Sequence, residues 1–105
     1  MITLIMSIAL AAQMAQSCSQ ATITAYSVEQ YGGATADGTR TPGSAGVIAA
    51  ASTNYPLGSY VSVEGLGTYR IADRGHLGAN HIDVLMQTTR EALSFGRQTR
   101  TVCRQ

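Results

Sequence analysis

The chain has 105 residues and a formal net charge of +1, from 7 basic and 6 acidic side chains. That length fits one small domain, and the near-neutral balance excludes an electrostatic nucleic-acid binder, which needs a clear basic excess. A hydrophobic content of 45% excludes a disordered chain, while 11 Gly and a single Phe argue against a helical bundle and for a loop-rich β fold.

Residues Ile2 to Ala12 are apolar or small apart from Thr3 and Ser7, and no charged side chain precedes Glu29. An apolar run of roughly ten residues followed by Ala and Ser is the pattern of a secretory segment, expected here over residues 1–17. It falls short of the roughly 20 residues that a transmembrane helix needs. The mature chain, residues 18–105, is therefore expected to lack a membrane span and to work in the periplasm, the cell envelope or outside the cell. Ala9-Leu10-Ala11, Ala15-Gln16-Ser17 and Ser19-Gln20-Ala21 each offer a cleavage site. A buried N-terminal helix, a lipoprotein signal at Cys18 and a releasable Ala-rich anchor are the alternatives.

Export gives the two cysteines a meaning. Cys18 and Cys103 lie at opposite ends of the mature domain, and an even count in an oxidising compartment suggests a disulfide. Such a bridge would close a loop of about 85 residues and add roughly 3–5 kcal/mol on the chain-entropy model. Cleavage after Ala21 would instead remove Cys18 and leave Cys103 alone.

The remaining chain reads as short strands and one helix. Thr22 to Ser27 is β-branched and aromatic, a first strand. Gly32 to Gly46 is a loop with turn formers at Asp37-Gly38 and Pro42-Gly43. Val47 to Ala51 is a short apolar strand, and Tyr60 to Glu64 alternates with Val61 and Val63 on one face. Gly65-Leu66-Gly67 turns the chain into Thr68 to Asp73, completing a hairpin. In the strand His81 to Met86, Ile82, Val84 and Met86 point one way, and His81, Asp83 and Leu85 the other. Thr88-Thr89-Arg90-Glu91 is a capping box that opens a helix burying Ala92, Leu93 and Phe95, with Gly96 in the left-handed position after it. Gln98 to Arg104 closes the chain as a strand. About six short strands, one helix and no βαβ repeat predict a mainly β fold, a small barrel.

The order of motifs is similar to a known family. Tyr26, then Thr35-Ala36-Asp37-Gly38, Pro56-Leu57-Gly58-Ser59-Tyr60-Val61, Ile71-Ala72-Asp73-Arg74-Gly75, Ile82-Asp83-Val84, Ala92 and Phe95-Gly96 together resemble the three-aspartate (3D) domain of the double-psi β-barrel superfamily. Membrane-bound lytic transglycosylase A and rare lipoprotein A are relatives in that superfamily. The resemblance covers residues 22–103 and implies a six-stranded double-psi β-barrel. Each piece is common alone; the ordered set is what carries the likeness. Asp-Arg-Gly is closer to rare lipoprotein A, where three-aspartate domains more often have Asp-Thr-Gly.

The activity implied is cleavage of peptidoglycan between N-acetylmuramic acid and N-acetylglucosamine, leaving a 1,6-anhydro ring. One carboxyl group protonates the glycosidic oxygen and then accepts the proton of the sugar's own 6-hydroxyl, with no cofactor. The acid must hold its proton near neutral pH, which calls for an apolar setting or a like charge nearby. By the resemblance Asp83 is that acid and Asp73 the second aspartate, and an Asp inside a strand is otherwise disfavoured. The family's first aspartate falls at Ala51, and rare lipoprotein A carries a His in this stretch that is also missing. The expected site is thus a carboxylate pair.

Thr35 and Gly38 are expected to border the cleft, or simply to form a turn. Arg74, with Gly75 behind it, could contact substrate carboxylate or acetamido oxygens, or be a solvated loop charge. Tyr26, Tyr31 and Tyr55 could stack on sugar rings or pack in the barrel, with Tyr55 taken as the stacking candidate. His81 shares a face with Asp83 and is expected to line the groove. His76, His81 and Asp83 lack zinc-ligand spacing, so no metal is expected. Asp73 could otherwise begin a turn, and Asp83 could be a buried acceptor for an Arg. Ser44 and Ser59 are not in a Gly-x-Ser-x-Gly setting.

Two functions stay open at this point: a monomeric, exported lytic transglycosylase acting on peptidoglycan glycan strands, including in phage lysis, and a non-catalytic module that grips those strands. Ala51 favours the second, and the pair Asp73 and Asp83 the first.

Overall fold

The computed structural model describes residues 17–105, so the expected export segment lies outside the described residues except for Ser17. The elements are β1 (Ser17–Ser27), α1 (Val28–Tyr31), β2 (Ile48–Ala51), β3 (Tyr60–Val63), β4 (Gly67–Arg74), β5 (His81–Met86), α2 (Thr89–Phe95) and β6 (Gln98–Arg104). The strands close into a six-stranded barrel in the order β1-β5-β2-β4-β3-β6. Each strand has a neighbour on both sides, over different stretches: β1 pairs with β6 through Ser17–Ile23 and with β5 through Thr22–Ser27.

The pairings have an internal symmetry. The β1–β5 and β2–β4 pairs are parallel, and the other four are antiparallel. Exchanging β1, β2 and β3 with β4, β5 and β6 reproduces every pairing with its direction. The antiparallel pair β2–β5 maps onto itself, so the symmetry axis passes through the middle of that pair.

Alternation decides what fills the barrel. Ile23, Ala49, Ala51, Val61, Val63, Ile71, Ile82, Val84 and Val102 form the inner cluster, with Met86 packed against it. Burying each Val or Ile side chain contributes roughly 1.5–3 kcal/mol. A second cluster of Ile48, Ala72 and Leu85, joined by Tyr26 and Val28, lies on the other side of the same strands. The predicted split of β5 into Ile82, Val84 and Met86 against Leu85 and its neighbours is observed.

Local signals account for both helices. At α2, Thr88 accepts from the Glu91 amide at 3.1 Å, but the Glu91 carboxylate takes the Thr88 hydroxyl at 2.9 Å rather than the Thr88 amide, so half of the capping box forms. Ala92 is buried, whereas Leu93 is 73% exposed, correcting its expected place in the core. Gly96 has the positive φ expected of it, at 67°, but its ψ of −134° is not left-handed helical. The additional helix α1 is a single turn: Ser27 accepts from the Gln30 amide, and Gly32 ends it in the left-handed conformation at φ 63°. Ser27-x-x-Gln30 with Gly32 was the available signal.

β1 starts five residues before the predicted Thr22, because residues from Ser17 to Ile23 pair with β6. Cys18 and Cys103 are register partners and form a disulfide. A cut after Ala21 would remove five paired residues, Cys18 among them. No helix among the described residues is long and apolar enough to cross a membrane.

Candidate functional site

Asp73 reaches the outer face because β4 carries a bulge. Ala49 pairs with Ile71 but Ala50 pairs with Asp73, leaving Ala72 as an extra residue. Strict alternation would put Asp73 on the Ile71 side, inside the barrel. A bulge lets two consecutive residues face one way and re-aims the strand beyond them. Ala72 joins the outer cluster, and Asp73 Oδ2 meets the hydroxyl of Tyr26, itself on that face, at 3.5 Å.

Asp83 pairs with Thr24 on β1 and with Ala50 on β2. Thr24, Asp83, Ala50 and Asp73 therefore form one row across four adjacent strands. Ala50–Asp83 is the middle of the three register pairs that join β2 to β5. Within this row the methyl group of Ala50 separates the two aspartates.

The two aspartates have different surroundings. Asp73 is 5% exposed, and its Oδ1 accepts from the amides of Ala36 at 3.0 Å and Arg74 at 2.9 Å. Asp83 is half-buried, and among the described residues its side chain accepts only from the Thr24 hydroxyl, at 3.0 Å. Burial pushes its carboxyl above the ordinary carboxylate value, the Asp73 charge adds to the rise, and the Thr24 bond and nearby His81 oppose it. Tyr26 feels both carboxylates, and burial is the main reason its phenol is pushed above its ordinary value.

His81 lies beside this pair, with Nε2 2.8 Å from Thr24 Oγ1. Burial and the charge of Arg97 hold its imidazole below the ordinary value, against an opposing pull from Asp83.

The loop between α1 and β2 packs against the Asp73 end of the row. Its organiser is Asp37, which by sequence alone is only a turn former. Asp37 accepts from the hydroxyls of Thr35 and Thr39 at 2.8 and 2.6 Å and forms an ion pair with Arg70. The Asp37 amide donates to the Ala72 carbonyl at 3.0 Å, fastening the loop to the bulge. Thr35 and Gly38 belong to this turn, with the Gly38 amide on the Thr35 carbonyl, and Gly38 takes φ 87°. Their loop delivers the Ala36 amide to Asp73.

Other expected site residues are placed elsewhere. The Tyr55 ring is 1% exposed, in the inner core, with the Arg104 guanidinium 4.0 Å from its centroid. It offers no face for a sugar, which corrects the stacking expectation. Arg74 spends one guanidinium nitrogen on the carbonyls of Ala51, Ser52 and Tyr55, at 3.4, 3.3 and 2.8 Å. It closes the barrel end there. A Cβ on Gly75 would stand 3.4 Å from Leu77 Cγ, so Gly75 packs beneath its own loop. Ala51 is fully buried in the inner cluster, and it is Ala50 that stands between the aspartates. Thr24 was missed, although its place two residues before Tyr26 on the first strand was a usable signal. Among the described residues no group of three His, Cys, Asp or Glu side chains could hold a metal ion.

Fold and site together define a small, closed, disulfide-linked β-barrel that carries a carboxylate pair on its outer face. No protein family matches the chain, and no curated protein matches it.

Proposed function

We propose that the mature chain is an exported lytic transglycosylase that cleaves peptidoglycan glycan strands, with Asp83 as general acid and then base. The supporting observation is the row that puts Asp83 on one outer face with Asp73, half-buried and with its proton affinity raised. General acids that work near neutral pH need that kind of setting. Asp73, held by two backbone amides and facing Tyr26, is the fixed neighbour that supplies like charge and an acceptor for a sugar hydroxyl. The disulfide suits an oxidising location. The ordered motifs shared with the three-aspartate domain supply the substrate class.

A glycan-binding module is the second reading, favoured by the methyl group of Ala50 where a third carboxylate would complete the row. Mass spectrometry of peptidoglycan incubated with the purified oxidised protein tests both. Anhydro-muropeptides are expected. Reducing ends would identify a hydrolase, and unchanged sacculi that retain the protein would identify a binder.

A further inference from the structure

The bond between Thr24 and Asp83 has a second half. Thr24 Oγ1 lies 3.0 Å from Asp83 Oδ1 and 2.8 Å from His81 Nε2. A hydroxyl has one proton to give and two lone pairs to receive. Given to Asp83 Oδ1, that proton is no longer available to His81, so Nε2 must be the donor. The parallel register of β1 and β5 fixes the arrangement by setting Thr24 beside Asp83 and Thr22 beside His81.

We propose that His81 is a positioning residue for Asp83: as the Nε2–H tautomer it holds the Thr24 hydroxyl on Oδ1, so that the acid proton is carried on Oδ2. This rests on the transglycosylase reading for its consequence, though not for its geometry. Oδ2 takes no hydrogen bond among the described residues, which leaves it to face substrate. In the reaction the Oδ2–H bond breaks and an O–H bond forms on the glycosidic oxygen as its bond to C1 breaks. The 6-hydroxyl oxygen then bonds to C1 and its proton returns to Oδ2. Neither Thr24 nor His81 gains or loses a proton.

The charged and titratable groups around this chain of donors come from several elements. Asp73 faces it from β4, Tyr26 from β1, and Arg97 from the turn before β6. β2 contributes only Ala50. Arg97 and burial both favour a neutral His81, and a neutral ring must choose one tautomer.

Nitrogen-15 NMR of the unaltered protein reads that tautomer directly. The Nε2–H form is expected at pH 7, and an Nδ1–H ring or an imidazolium would overturn the proposal. Carbon-13 titration of the Asp83 carboxyl supplies the second measurement. Thr24→Val should raise its midpoint by about half a pH unit or more, because a bond to the ionised form is lost, and Thr24→Ser should restore it. A midpoint unmoved in folded Thr24→Val overturns the proposal. On peptidoglycan, the alkaline limb of the rate profile should move upward by the same amount in Thr24→Val. A moved midpoint with no cleavage by any variant would leave the donor chain standing and remove the transglycosylase reading.

Discussion

Asp73 and Asp83 stand in one row on the outer face of the barrel, two strands apart, with Ala50 paired to both. Asp83 gets there by simple alternation. Asp73 gets there only because Ala72 is an extra residue in β4. The two carboxylates are then bonded differently, one by backbone amides and the other by a single hydroxyl that His81 orients.

Asp83→Asn should abolish release of anhydro-muropeptides, a loss of ~10²–10⁴-fold, because the amide keeps shape but cannot exchange a proton. Melting should stay that of a folded protein. Asp73→Asn should lower turnover less, since it keeps an oxygen for the Ala36 and Arg74 amides. Asp73→Ala leaves both amides unpartnered and should cost about 1–3 kcal/mol of stability. Turnover and urea unfolding of the three variants check this order, and full turnover in folded Asp83→Asn would remove the assignment of the acid.

The two shifted carboxyl groups should act on stability in opposite directions with pH. Asp83 binds its proton more tightly folded than unfolded, so stability falls as pH rises from the ordinary carboxylate value through the raised one. Asp83→Asn should therefore gain stability over the wild type above that window and lose the gain below it. Asp37 is held well below the usual carboxylate range, first by the Thr39 hydroxyl and also by Arg70. Its contribution is present above the ordinary value and disappears as pH falls through the lowered one. Asp37→Asn should narrow the difference in stability between pH 7 and strong acid. Urea unfolding across pH measures both.

Carboxylates introduced at neighbouring positions should separate the two faces of β2. Ala51→Asp puts a charge in the inner cluster and should cost several kcal/mol or prevent folding. Ala50→Asp puts it in the outer row between two acids. Its cost should be largest at neutral pH and shrink on acidification, when the row shares protons. Equal damage from both at every pH would contradict the assigned faces.

Reduction of Cys18–Cys103 opens a covalent loop with a sequence separation of 85, and about 3–5 kcal/mol of stability should be lost on the chain-entropy model. The bond joins β1 to β6, the pair that closes the barrel. Hydrogen exchange in the reduced protein should therefore rise first in residues 18–21. Denaturant midpoints with and without reductant measure the loss, and coinciding midpoints would show that strand pairing holds this seam alone.

Features that depend on near neighbours were legible in the sequence. Alternation in Ile82-Asp83-Val84-Leu85 assigns faces because a strand repeats every two residues, whatever it pairs with. Thr88 at the start of α2 is likewise a local matter of backbone amides lacking partners. The same rule misplaces Asp73: Ile71 and Asp73 share a parity, and only pairing with β2 reveals that Ala72 is extra. The family resemblance puts a first aspartate at Ala51, whereas the antiparallel register with β5 puts Ala50 between the aspartates. Tyr55 has the residue type for stacking on a sugar, yet packing in the inner core buries its ring, while Arg74 gives one guanidinium nitrogen to backbone carbonyls. The donor chain from His81 to Asp83 depends on Thr24, 57 residues from His81. A strand's own sequence states which residues share a face, but not which strand will lie beside it, and pairing between distant strands is what assembles this site.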